Sequence, residues 1–157
     1  MPNLESVIGL KLNNIAFLTT IFPVDEVFLT DFFNSLCQQT TKDFDIVVIN
    51  DGYVNFDKIK DVYHMLNILE IKCSDTPSQN RQYGINYCID NGYEVLIFGD
   101  SDDYFSPNRV ELSLQLLVEN DIVVNDVSLF NNHGVYEKNY ITNRVDNNSK
   151  VEFDFIK

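Results

Sequence analysis

The sequence predicts an α/β fold with a mostly parallel sheet flanked by helices. Short apolar runs rich in β-branched residues alternate with segments whose apolar residues recur at helical spacing. The apolar runs end in Thr, Asn, Asp, Gly or Pro, which break them. With 157 residues, the chain suffices for one ordinary domain.

Each element has its own reason. NIAFLTTIF (14–22) reads as a buried strand stopped by Pro23. VDEVFLTDFFNSLCQQT (24–40) reads as a helix. Asp25 and Glu26 sit in its first turn, where carboxylates suit the helix dipole. Phe28, Phe32 and Leu36, with Leu29 and Phe33 beside them, form one apolar face. FDIVVIN (44–50) is a second buried strand, and Asp51, Gly52 and Tyr53 supply its turn. Residues 56–66 read as a short helix and 67–73 as a third strand. The next helix starts at Pro77, carries Ile85, Cys88 and Ile89, and stops at Asn91-Gly92. EVLIFG (94–99) is the fourth strand. The last helix, 106–120, has Ser106 as cap and Pro107 at its first position. DIVVNDVSLF (121–130) is expected as a fifth strand. Regular strand–helix alternation places helices on both faces of a parallel sheet. Beyond Asn131 the text turns polar. His133-Gly134 suits a hairpin turn between 123–130 and 135–142, and VEFDFIK (151–157) alternates like an edge strand.

Charge narrows the functions. A net charge of −13 and a pI near 4.3 argue against nucleic acid and against anionic lipid. Hydrophobic residues make up 45%, enough for a packed core. Cys37, Cys73 and Cys88 are odd in number and widely spaced, so free thiols in a reducing compartment are expected. There is no basic leader with an apolar stretch and no run of membrane-spanning length. The expectation is a cytoplasmic protein, with action at the inner face of a membrane reached through other parts.

Open α/β sheets bind ligands beyond the C-terminal ends of their strands. Thr19, Thr20 and Phe22 follow the first strand; Asn50, Asp51 and Gly52 the second; Ser74 and Asp75 the third. Asp100, Ser101, Asp102 and Asp103 follow the fourth and form the richest cluster. In extended backbone Asp100 and Asp102 would point the same way. Two convergent carboxylates call for a divalent cation, and oxygen-only ligands suit Mg²⁺ or Mn²⁺. The competing reading is a solvated turn that caps the next helix. No G-x-G-x-x-G and no Walker A loop is present. His64 and His133 read as surface residues, and Cys37 as part of the core.

These segments resemble the nucleotide-sugar-binding half of a family 2 glycosyltransferase of the A-type fold, over roughly residues 14 to 130. FLTTIF is similar to the family's first strand ending in Thr-x-Tyr. SLCQQTTKDFDIVVINDG resembles S-x-x-x-Q-T followed by a strand ending in Asp-Asp-Gly. PSQNRQYGI resembles A-R-N-x-G-I, and FGDSDDYFSPNRVE resembles D-S-D-D-x-x-x-P-x-x-L-E. Asn50 stands in place of the first Asp of the pair, Tyr53 in place of Ser, and Phe22 in place of Tyr.

The resemblance implies a Rossmann-like nucleotide-diphospho-sugar transferase fold of the spore-coat-polysaccharide-synthesis-protein type. Residues 1–157 would be one domain: 14–130 the donor core, 131–157 the start of an incomplete acceptor-side region. Thr20 and Phe22 would border the base and Asp51 would bond it, usually uracil. Arg81 would approach base and diphosphate. Asp100 would face ribose and metal, with Ser101 beside it. Asp102 would be the main ligand of Mn²⁺ or Mg²⁺, and Asp103 would support the loop. The implied activity is metal-dependent, inverting transfer from a nucleotide-diphosphate sugar, usually a UDP-sugar, to a glycan or lipid-linked acceptor. The general base is expected beyond residue 157, with Asp126 read as a solvated strand residue. The alternatives are a nucleotide-sugar or metal-binding module without transfer, and an unrelated Mg²⁺-binding α/β regulatory domain. An uncovered apolar face on 121–130 would favour a homo-oligomer.

Overall fold

A computed structural model describes residues 14–131 and 133–141. The chain divides into two compact units, residues 1–118 and 119–157.

In the first unit, β1 (Ile15–Ile21), β2 (Asp45–Asn50), β3 (Ile68–Lys72) and β4 (Val95–Phe98) form one parallel sheet in the order β3-β2-β1-β4. Four helices connect or follow the strands: α1 (Glu26–Cys37), α2 (Phe56–Val62), α3 (Pro77–Asp90) and α4 (Arg109–Leu117). The chain runs outward from β1 to β3, then crosses back to place β4 on the other side of β1. That reversal opens a crevice between β1 and β4 at their C-terminal ends.

The alternation along β1 divides the core. Ile15, Phe17 and Ile21 join Phe32, Phe33, Leu36 and Phe44 on one face, together with Val110 and Leu114 of α4. Ala16 and Leu18 join Val47, Ile49 and Cys88 on the other, beneath α3. Phe17, Phe32 and Phe105 pack as tilted and edge-on rings with centroids 5.1–6.0 Å apart. The apolar face of α1 is narrower than its spacing suggested: Leu29, Phe32, Phe33 and Leu36 are buried, but Phe28 is exposed. α3 starts at Pro77 as expected, and the Thr76 hydroxyl caps it by accepting the Gln79 N–H.

Two expectations are corrected. α4 begins at Arg109 rather than Ser106, because Ser106 and Pro107 form the preceding turn, where the Arg109 N–H donates to the Ser106 carbonyl at 3.0 Å. The fifth parallel strand is also absent. In the second unit, 122–128 carry no strand, while Leu129–Asn131 (β5) and Gly134–Glu137 (β6) form an antiparallel hairpin. The Asp126 carboxylate accepts the Val127 and Ile141 amides at 2.8 and 2.9 Å, occupying N–H groups a ladder would need. The turn at His133-Gly134 is where the sequence put it. The edge strand expected at 151–157, and the end of the one expected at 135–142, lie outside the described residues. Among the described residues no helix is long and apolar enough to cross a membrane.

Packing of α3 on the sheet yields two tests. A Cβ on Gly84 would lie 2.7 Å from Leu18 Cδ1 and 3.0 Å from Ile49 Cγ1. Gly84→Val is therefore expected to cost about 1–3 kcal/mol, read as a lower urea midpoint. Cys88 is fully buried, and desolvation pushes its thiol from 9.0 up to about 11. Across that window the unfolded thiol is ionised while the folded one keeps its proton, so stability present below pH 9.0 is lost as pH rises towards about 11. Cys88→Ala should flatten that alkaline decline in denaturation curves, and iodoacetamide at pH 8 should label Cys88 only when the chain is unfolded.

Candidate functional site

The C-terminal ends of β1, β2 and β4 and the first turns of α3 enclose a cleft of about 530 Å³. It is lined by Thr20 and Phe22 from β1, Asp51 from β2, Arg81 from α3, and Asp100, Ser101 and Asp102 after β4. These are all seven of the binding residues expected from the sequence. Pro77, Ser78, Gln82 and Ile85 complete the lining. They escaped the sequence reading because they lie on a helix flank rather than at a strand end.

Asp51 continues the strand pairing, its N–H donating to the Ile21 carbonyl at 2.8 Å. Its Oδ2 accepts from Nδ2 of the buried Asn80 at 3.0 Å. Just before it, Asn50 closes the turn on itself. Its Oδ1 accepts the Tyr53 N–H at 2.8 Å, and its Nδ2 donates to the Tyr53 carbonyl at 3.0 Å. The same Nδ2 donates to Glu70 Oε1 at 2.7 Å, and Lys60 holds the other Glu70 oxygen at 3.0 Å. An Asp at position 50 could donate nothing here and would set one carboxylate against another. Glu70 thus favours Asn over the Asp of the resembling sequences at this position.

The acidic segment is a turn. The Asp103 N–H donates to the Asp100 carbonyl at 3.1 Å, so Asp100 and Asp102 do not follow the extended geometry expected of them. The turn is anchored at both ends. A Cβ on Gly99 would fall 2.5–2.6 Å from Phe17 and Phe105, so only glycine lets the strand end lie this close to the aromatic core. Ser101 is buried. Arg81 pairs with Asp100 at 2.6 Å, both side chains being more than half exposed. Burial, then Asp100 and Asp102, raise the Asp103 carboxyl above its ordinary range, and Arg109 opposes them. Arg109 donates to the Phe98 carbonyl at 3.0 Å and lies over the Phe105 ring. Burial lowers the pKa of its guanidinium, and Asp103 opposes the fall.

Among the described residues no three His, Cys, Asp or Glu side chains are grouped to hold a metal ion. Of the three carboxylates that line the cleft, Asp51 is bonded by Asn80, and Asp100 and Asp102 lie in one turn and offer oxygen donors only. That donor set fits a hard cation that completes its shell with water and ligand phosphates. His64 and His133 are exposed and do not line the cleft.

The turn is held from behind by a residue whose role the motif did not disclose. Gln39 is 1% exposed. Its Nε2 donates to the Ser35 and Ser106 carbonyls at 3.0 and 2.9 Å, and its Oε1 accepts the Val110 N–H at 3.1 Å. It thereby caps α4 in place of Ser106. Thr40 adds its N–H to the Pro107 carbonyl and its hydroxyl to Glu111, each at 2.7 Å. The S-x-x-x-Q-T segment therefore ties the end of α1 to the loop that carries the acids.

A family model described as glycosyl transferase family 2 matches residues 21–154. A glycosyltransferase of Rickettsia bellii is 29% identical over 104 residues, covering 60% of this chain and 14% of its own length. Two structures of S. aureus TarS 1-349, one in complex with UDP and one with UDP-GlcNAc, superpose with a TM-score of 0.58 at 20% identity. The likeness covers 69% of this chain and 33% and 32% of those structures. At that identity it shows a shared fold.

The Gln39 connections lead to a stability test. Gln39→Leu leaves the Val110 amide and the Ser35 carbonyl without their side-chain partner in a buried place, while the Ser106 carbonyl keeps the Arg109 N–H, and is expected to cost about 1–3 kcal/mol. Urea denaturation reads the loss, and limited proteolysis should find new cleavage within 99–108. A midpoint within experimental error of wild type would contradict this role.

Proposed function

The chain belongs to glycosyltransferase family 2, and from that premise we propose that its cleft binds the nucleotide-diphosphate sugar in a transfer reaction. The observation that carries the proposal is the gathering of Thr20, Phe22, Asp51, Arg81, Asp100, Ser101 and Asp102 in one cleft at the strand crossover. On this reading residues 14–130 form the donor side and 131–157 begin the acceptor side.

Each residue then has a task its chemistry suits. Phe22 is exposed and offers a flat apolar face beside Thr20 for the base. Asp51 accepts from a base N–H. Arg81 supplies positive charge for the diphosphate in a chain of net charge −13. Asp100 is shared between Arg81, the ribose and a cation, while Asp102 is the main cation ligand and Ser101 shapes the turn between them. Mg²⁺ or Mn²⁺ bound there would supply Lewis-acid stabilisation of the charge on the departing nucleoside diphosphate. The TarS complexes with UDP and UDP-GlcNAc support a uridine nucleotide as the donor.

The acceptor, a glycan or lipid-linked hydroxyl, attacks the anomeric carbon. The bond from that carbon to the diphosphate oxygen breaks with its electron pair on oxygen, and configuration inverts. A carboxylate base takes the hydroxyl proton. The cleft carboxylates are all engaged with the donor in this scheme, so the base belongs outside them.

Calorimetric titration tests the donor assignment. UDP is expected to bind only with Mn²⁺ or Mg²⁺ present. Asp102→Ala should abolish binding, and Asp51→Ala should weaken it by roughly tenfold, about 1.4 kcal/mol. Metal-independent binding, or none with any nucleoside diphosphate at millimolar levels, would overturn the proposal. Full binding without donor hydrolysis or transfer would mark a binding module instead.

A further inference from the structure

Asn80 stands directly behind the donor cleft. It sits on α3 next to Arg81 and is completely buried. The A-R-N-x-G-I pattern places Ala before its Arg, and Ala has no polar group to offer. Here Nδ2 donates to Asp51 Oδ2 at 3.0 Å and to the Asp75 carbonyl at 3.2 Å. Asn80 Oδ1 is buried and has no partner among the described residues.

That imbalance fixes the orientation of the amide. Turned over, it would point an oxygen at a carboxylate and a carbonyl, three acceptors with no proton between them. The donor side must therefore face Asp51, even though the acceptor side goes unpaired. Leaving a buried acceptor unpaired is costly, so the orientation is set by the two acceptors it faces, of which the Asp51 carboxylate is the one that lines the cleft. One carboxylate oxygen is pinned. The other, which has no partner among the described residues, belongs to a side chain that lines the cleft. An ionised carboxylate accepts hydrogen bonds and donates none.

We propose that Asn80 is a positioning residue that makes Asp51 a selective acceptor for a nucleobase bearing a ring N–H. Uracil carries such a proton at N3. Cytosine presents a bare acceptor at the same position and would meet the carboxylate lone pair to lone pair. The selection of uridine over cytidine nucleotides thus depends on an amide that need not touch the ligand. This rests on the donor-site reading above.

The test is a double-mutant cycle by calorimetry in saturating Mn²⁺, with UDP and CDP as probes. Wild type should prefer UDP by roughly tenfold or more, since a site built around one hydrogen bond rejects the analogue that cannot make it. Asn80→Ala should lower UDP affinity by roughly tenfold, leave CDP affinity within about twofold, and so collapse the preference. In an Asp51→Ala background, Asn80→Ala should change UDP affinity by less than about twofold. Asn80→Ser keeps a hydroxyl donor and should recover part of the preference. It also carries the test if the alanine variant fails to fold.

Equal affinity of wild type for UDP and CDP would overturn the inference. So would an equal loss of both nucleotides in Asn80→Ala, or an undiminished effect in the Asp51→Ala background. A wild-type protein that binds neither nucleotide overturns the donor-site reading beneath it, and this inference with it.

Discussion

The acidic turn after β4 depends on one buried amide. Gln39 reaches across from the end of α1 and bonds three backbone groups: the Ser35 carbonyl, the Ser106 carbonyl that also accepts the Arg109 N–H, and the first free amide of α4. Buried backbone groups must be paired, and no side chain within the turn pairs these. The consequence reaches the cleft. With Gly99 wedged against Phe17 and Phe105 on one flank and Gln39 holding Ser106 on the other, the acidic turn between them has little room to move. Carboxylates placed side by side repel. A turn clamped at both flanks can keep them close where a free loop would let them part.

The same economy governs charge. Three cations among the described residues stand beside acids. Arg81 faces Asp100, Arg109 opposes the shift on Asp103, and Lys60 spans Asp57 and Glu70 at 2.7 and 3.0 Å. Arg81 and Asp100 are solvent-exposed, so their pairing contributes little to stability and is easily exchanged for another partner. Arg109 is held by aromatic and backbone contacts and is far less available.

The four parallel strands and the candidate ligand edge were legible because both come from local pattern. Apolar runs with turn residues behind them gave β1 to β4, and the residues after the strands gave the cleft. What stayed hidden is non-local. Gln39 meets its partners 67 and 71 residues away, and Asn80 meets Asp51 across 29. Buried amides have no periodic signature, so only the fold reveals them. The segment at 121–130 misled for the opposite reason. Its valines look like a strand, but Asp126 takes backbone amides that strand pairing would need. Ser106 and Pro107 read as a helix start because capping rules consider only neighbours in sequence, and here the cap comes from α1.

The bond between Asn50 and Glu70 couples two positions 20 residues apart on neighbouring strands. Asp at 50 is compatible with a neutral partner at 70, and Glu at 70 with an amide at 50. Asn50→Asp alone would set two carboxylates together, while replacing Glu70 alone would take from Lys60 one of its two carboxylate partners. The residue that each position tolerates is therefore set by its occupant across the strand pair.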